Sequence, residues 1–311
     1  MFYEAIARRF GGSDLWGVMV ISLSAFLVAF IVALYLGKRT IAWLIAQGVN
    51  DGEARKASET LNEINAGKER TPTMGGIFII ITLVLCSFLF LPLKAHAAWW
   101  VLAAMVGSAA LGVVDDWAKL KRRGKRDGIS GRTKLGVQSL LYAICTFGIL
   151  SLAPEAARVL HIPLVGIDLP IGWGALALGV IVAVGSSNAV NLADGLDGLA
   201  GGMSVMTMLT LAIVGALLGA EAFAGAGVLR AEDAMAVSLL ATLVAGATLG
   251  FLWFNAHPAQ VFMGDTGSLA LGAGLGMIAV ALRQELLLAV IAATFVAEAA
   301  SVMLQVGYFK L

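Results

Sequence analysis

The chain has 311 residues, 59% of them hydrophobic and 13% charged. Soluble domains carry about 25% charged and about 45–50% apolar residues, so a water-soluble globule is excluded, and so is a disordered chain. The 21 basic and 20 acidic residues nearly cancel, which argues against a nucleic-acid partner and leaves a polytopic membrane protein.

The first residues, Met1 to Gly12, include Arg8 and Arg9 but no short apolar region with a small-residue cleavage site, so no removable signal peptide is expected. A helix needs about 20 apolar residues to cross a bilayer core. Nine stretches approach that length: 16–37, 74–92, 97–114, 135–153, 171–190, 199–219, 234–254, 268–282 and 286–308. They are continuously apolar rather than alternating, which selects helices over barrel strands. The expected fold is therefore all-α, an integral membrane protein with about nine spans in one domain over 1–311. Glycines 272, 274 and 276 in the eighth stretch suit close helix packing.

The two cysteines, Cys86 and Cys145, lie in apolar runs and read as small hydrophobes. His96, His161 and His257 show no metal-ligand spacing. With nine spans, the loops 38–73, 115–134, 190–198 and 255–267 share one face with the C-terminus. That face holds fifteen of the 21 Lys and Arg residues. By the positive-inside rule it is cytoplasmic and the N-terminus is periplasmic. The basic loop 119–134 reads first as topology-setting residues that meet anionic lipid headgroups, with a phosphate substrate entering beside it as the sharper alternative.

Five aspartates of the same face lie at or between span ends in recognisable motifs. Asp115 and Asp116 end the third stretch; Asp194 and Asp197 lie in Asn188-Ala-Val-Asn-Leu-Ala-Asp-Gly-Leu-Asp-Gly-Leu199; Asp265 lies in Val261-Phe-Met-Gly-Asp-Thr-Gly-Ser268. A carboxylate pair at a helix C-terminus opposes the dipole, and adjacent like charges repel unless a cation intervenes. Two cations fit: a divalent metal, or the basic residues of 119–134. Oxygen ligands without a thiol or imidazole cluster favour Mg²⁺ or Mn²⁺ over zinc. Asp194 and Asp197, three apart, would share a face in a helical turn, and Asp197 could alternatively cap the sixth span. Lys68-Glu-Arg-Thr-Pro-Thr-Met-Gly-Gly76 introduces the second span; N–H groups exposed at such a helix start attract phosphate, with Lys68 and Thr73 beside them. Mid-span charge is almost confined to Glu298 and no repeat relates the two halves, which counts against a secondary transporter. Glu298, Ser301 and Gln305 read as interhelical hydrogen bonding or as a polar groove.

Together these motifs resemble the polyprenyl-phosphate N-acetylhexosamine-1-phosphate transferases, and among them the members that act in peptidoglycan synthesis. The matching segments are Thr71-Pro-Thr-Met-Gly-Gly76, Asp115-Asp116, Asn188 to Ala200, Phe262-Met-Gly-Asp-Thr-Gly-Ser-Leu269 and Ser301-Val-Met-Leu-Gln-Val-Gly-Tyr-Phe-Lys310, in order along nearly the whole chain. The resemblance implies transfer of phospho-N-acetylmuramoyl-pentapeptide from its UDP donor to undecaprenyl phosphate. The products would be lipid I and UMP, with Mg²⁺ required, at the cytoplasmic face of a bacterial inner membrane. A relative using UDP-N-acetylglucosamine is the alternative. Asp265 matches the family's metal-binding aspartate, and Asp115, with Asp116 beside it, the residue that deprotonates or positions the lipid phosphate. Asn191, Asp194, Asp197 and Phe262 match positions around the nucleotide, as does Lys68. Thr73, Asn188, Asn255, Gly264 and Ser268 in or beside these motifs are further substrate-binding candidates, and a homodimer is a candidate assembly. The family pattern continues into a histidine-rich loop and a tenth helix, whereas the sequence ends at Leu311.

Overall fold

The computed structural model describes residues 15–49, 71–121, 128–152, 158–163, 165–220 and 231–310. Its elements in chain order are α1 (Leu15–Ala46), α2 (Gly76–Phe90), α3 (His96–Lys121), α4 (Gly131–Leu152), β1 (Val159–Ile162), β2 (Ile167–Pro170), α5 (Gly174–Ala193), α6 (Leu199–Gly219), α7 (Ala231–Asn255), α8 (Gly264–Leu282), α9 (Glu285–Ile291) and α10 (Ala293–Lys310). Seven helices are long and apolar enough to cross a membrane, or eight if α9 and α10 count as one bent span. The chain is thus an all-α, multi-pass membrane protein, and every apolar stretch foreseen from the sequence carries a helix.

The differences are local. Helix α2 has 15 residues, about 22 Å at 1.5 Å per residue, short of a bilayer core of about 30 Å. The ninth stretch is broken, with α9 and α10 meeting at 81°. Hydropathy sees only the apolar run and is blind to such a break. An antiparallel hairpin pairs Val159 with Pro170 and Ile162 with Ile167, an addition that its four-residue strands were too short to announce. Gln305 reaches Ser301 on its own helix at 3.4 Å, exposed to solvent, so among the described residues this pair bonds within α10.

Helix α8 is the hub. Nearly all of its residues are buried, and it packs chiefly on α3 and α5, while α7 packs between α1 and α6. A Cβ on Gly276 would stand 2.7 Å from the Ala183 Cα, and one on Gly272 would strike the Ser186 carbonyl. Small residues thus let α8 and α5 approach backbone to backbone, as the packing reading expects. The ends of α3, α5 and α7 and the starts of α4, α6 and α8 gather at one end of the bundle. The hairpin and the α8–α9 corner occupy the other.

Candidate active site

The gathered end owes its geometry to backbone. Gly112 on α3 lets that helix lie against the first turn of α8, for a Cβ there would stand 2.5 Å from the Thr266 Cα. One turn further along α3, the side chains of Asp115 and Asp116 reach the α8 N-terminus. Helix α3 runs on to Lys121, so the aspartate pair lies inside it and not at its end; the last turn is polar and escaped the hydropathy limit. Asp265 is likewise helical, in the first turn of α8, where the dipole favours a carboxylate.

The adjacent aspartates divide their work. Both oxygens of Asp116 accept hydrogen bonds from α8: Oδ1 from the Asp265 N–H at 3.1 Å, Oδ2 from the Thr266 N–H at 3.0 Å and from the Thr266 hydroxyl at 2.8 Å. Asp116 therefore caps a neighbouring helix, satisfying N–H groups that have no partner inside it. Asp115 takes the Ile129 N–H on Oδ1 at 2.7 Å and turns Oδ2 to two ammonium groups. Lys119 Nζ lies 2.8 Å from Asp115 Oδ2 and 3.1 Å from Asp265 Oδ1; Lys134 Nζ lies 3.0 Å from Asp115 Oδ2 and 2.6 Å from Asp265 Oδ2. Each lysine bridges the same two carboxylates. Of the two cations the sequence allowed, the basic segment 119–134 thus supplies one kind directly. The sequence offers the whole segment as that cation without singling out Lys119 and Lys134, although the i,i+4 spacing of Asp115 and Lys119 carries a hint.

Oxygens of Asp115, Asp116 and Asp265 all lie within 4.8 Å of one another. This donor set is hard and anionic and suits a divalent cation of the Mg²⁺ type. The two ammonium groups already lodged between Asp115 and Asp265 show that the constellation draws positive charge. Because Asp116 is committed to the α8 cap, Asp265 and Asp115 are the pair with oxygens to offer.

The glycine before Asp265 is required by conformation. Gly264 has φ of +72°, and a Cβ there would lie 2.8 Å from Asp116 Oδ2 and 3.1 Å from the Thr73 hydroxyl. Thr73 is buried against this turn. The N–H groups of Gly75 and Gly76, expected to face an anion, instead donate to the Phe262 and Met263 carbonyls at 2.8 and 3.0 Å, and Phe262 N–H donates to Pro72 at 2.8 Å. Buried backbone donors must find partners, and the chain before α8 provides them. Lys68 lies outside the described residues.

Most of the remaining candidates fall into two hydrogen-bonded groups at the same end of the bundle. The Ser268 hydroxyl lies 2.7 Å from Asn191 Oδ1, joining α8 to α5. Asn188 donates to Gln138 at 3.0 Å, and Gln138 donates to Ser187 at 3.1 Å. Gln138, buried one turn after Lys134, went unnoticed in the sequence because its partners Ser187 and Asn188 lie about 50 positions away. Asp194 and Asp197 sit in the turn joining α5 to α6 rather than in a shared helical turn. The N-cap of α6 is Gly198, with Asp197 just before it. Asp197 accepts the Ala259 N–H at 3.2 Å and pairs with His257 Nδ1 at 3.1 Å, a partner 60 positions away. Asn255 holds the same loop, taking the Gly198 N–H on Oδ1 and donating to the Val261 carbonyl. Phe262 is buried in it.

The fold and site together define a multi-pass helical membrane protein with a lysine-bridged carboxylate site at one end of its bundle. The model of glycosyl transferase family 4 matches residues 98–283, more than half of the chain, and a phospho-N-acetylmuramoyl-pentapeptide-transferase signature matches 68–80. Phospho-N-acetylmuramoyl-pentapeptide-transferase from Desulfovibrio desulfuricans is 40% identical over 93% of this chain and 79% of its own length. The enzyme of that name from Syntrophus aciditrophicus is 36% identical over the same shares. The chain belongs to the phospho-N-acetylmuramoyl-pentapeptide-transferase family and is a phospho-sugar transferase.

Proposed function

We propose that the protein transfers phospho-N-acetylmuramoyl-pentapeptide from its UDP donor to undecaprenyl phosphate, forming lipid I and UMP, at the Asp115–Asp265 cluster. The observation that carries this reading is two carboxylates held together by two ammonium groups, in a chain whose relatives bear the name of that reaction. The acceptor's phosphate oxygen forms a bond to the sugar-bearing phosphorus, and the bond from that phosphorus to the bridging oxygen breaks, leaving on UMP. One phosphoanhydride replaces another, so the chemistry asks for charge neutralisation and alignment more than for a strong base.

Asp265, with Asp115 beside it, would hold Mg²⁺, which supplies positive charge opposite the diphosphate. Asp115 also faces the incoming acceptor phosphate, and Asp116 fixes the α8 N-terminus on which Asp265 stands. Asn191, Asp194, Asp197 and Phe262 would line the nucleotide end, with Asn188, Asn255, Gly264, Ser268 and Thr73 shaping it and Lys68 contributing charge. The fifteen basic residues of this face favour a cytoplasmic orientation in a bacterial inner membrane, where the water-soluble donor and the lipid acceptor meet. A homodimer is the assembly proposed.

Membranes carrying the protein, given undecaprenyl phosphate and Mg²⁺, are expected to release UMP from UDP-N-acetylmuramoyl-pentapeptide and not from UDP-N-acetylglucosamine. Release from the second donor alone replaces this reading with the N-acetylglucosamine one.

A further inference from the structure

The two lysines at the cluster are not equivalent. Lys134 belongs to α4, and its bonds to Asp115 and Asp265 tie α4 to α3 and α8 at once. It is also the more enclosed, with 16% of its side chain exposed against 37% for Lys119. Lys119 stands on the same helix as Asp115, so that bond joins no two elements. Its second bond, to Asp265, spans α3 and α8, but the three hydrogen bonds of Asp116 already fasten those helices. Lys119 can therefore leave without loosening the bundle. Its departure would uncover Asp265 Oδ1 and leave Asp115 Oδ2 to Lys134 alone, which keeps the two aspartates at their spacing.

We infer that Lys119 is an exchangeable counter-ion, which holds the cluster neutralised and pre-assembled until a divalent cation displaces its ammonium group, whereas Lys134 is the permanent staple. This rests on the reading of Asp115 and Asp265 as a cation site. Its consequence is a competition: cation affinity is set in part by how firmly Lys119 holds its place. Exchange of one cation for another avoids exposing two bare carboxylates beside each other, an arrangement that like-charge repulsion disfavours.

The test is Mn²⁺ binding to the purified full chain in detergent, followed by electron paramagnetic resonance, without substrate. Lys119→Gln should bind Mn²⁺ about tenfold more tightly than the unaltered protein, the order expected when a unit positive charge leaves the neighbourhood of a half-buried anionic site. Lys119→Arg, which keeps charge and reach, should bind as the unaltered protein does. Lys121→Gln, which removes an equal charge from the exposed stack on Trp117, should change little. An affinity in Lys119→Gln that is equal or weaker overturns the inference, and so does an equal gain in Lys121→Gln. A measurement that needs no variant runs in parallel. Acylation of the Lys119 amine, read by mass spectrometry, should speed up as Mn²⁺ is added, and an unchanged rate counts against exchange. If the unaltered protein and Asp265→Asn bind Mn²⁺ alike, the cation site itself fails. If Asp265→Asn loses binding but Lys119→Gln gains none, only the exchange fails.

Discussion

The two ends of α8 both carry ion pairs, and they are built for different purposes. At the C-terminal end, Arg283 Nη1 meets Glu285 at 3.1 Å with both side chains sealed from solvent, and the other terminal nitrogen of Arg283 donates to the Val159 carbonyl of the hairpin. One charge balances one charge, and neither is open to solvent. At the N-terminal end, Asp115, Asp116 and Asp265 face Lys119 and Lys134, leaving one negative charge in excess among the described residues. Lys119 is more than a third exposed there. A closed, balanced pair fastens the helix corner to the hairpin, whereas an open, unbalanced cluster is ready to take a further cation. Burial and stoichiometry, not the mere presence of salt bridges, separate a staple from a site.

That contrast can be broken by variants at either end. Asp115→Asn should cut the transfer rate by about 10²–10⁴-fold, the range for loss of a positioned acid–base or charge-stabilising group, measured as UMP release at equal amounts of folded protein. Glu285→Ala should act in the opposite sense. It leaves a buried guanidinium without its carboxylate, a loss of about 3–5 kcal/mol in stability, so thermal unfolding in detergent should come earlier while the surviving protein keeps its turnover. Gly264→Ala should cost about 1–3 kcal/mol, because alanine must adopt the left-handed conformation with its Cβ against Asp116. Here both the melting temperature and the rate should fall, since Asp265 moves with the strained turn. His257→Ala should have the smallest effect, within about 1 kcal/mol, because the imidazole is largely exposed and Asp197 keeps the Ala259 N–H. A large rate loss in Glu285→Ala would erase the distinction between the ends.

The span pattern and the gathering of aspartates on one face were legible because both rest on local or additive signals. Hydropathy marks each helix, and counting spans puts Asp115, Asp194, Asp197 and Asp265 on one side before any chemistry is considered. The meaning of each residue there was less legible because it depends on partners far away in sequence. Lys134 meets Asp265 across 131 positions, and Asp116 caps α8 across about 150. Neither could be told from a topology-setting lysine or a helix-end aspartate by its neighbours. The break between α9 and α10 was invisible because its residues are as apolar as those of an unbroken span, and the hairpin because its strands are only four residues long. Signals that report composition recover layers, whereas signals that report pairing need the fold.

The central claim is that the Asp115–Asp265 cluster is where phospho-sugar transfer takes place, with a divalent cation on Asp265. The most direct measurement compares Mg²⁺-dependent UMP release by the unaltered protein and by Asp265→Asn, at equal folded fraction and with Mg²⁺ raised to saturation. The account predicts a loss of about 10³-fold or more, the several kcal/mol that a bound cation contributes at the transferring phosphoryl group, with no recovery at high Mg²⁺. An Asp265→Asn protein that keeps Mg²⁺-dependent release within a few-fold of the unaltered rate contradicts it.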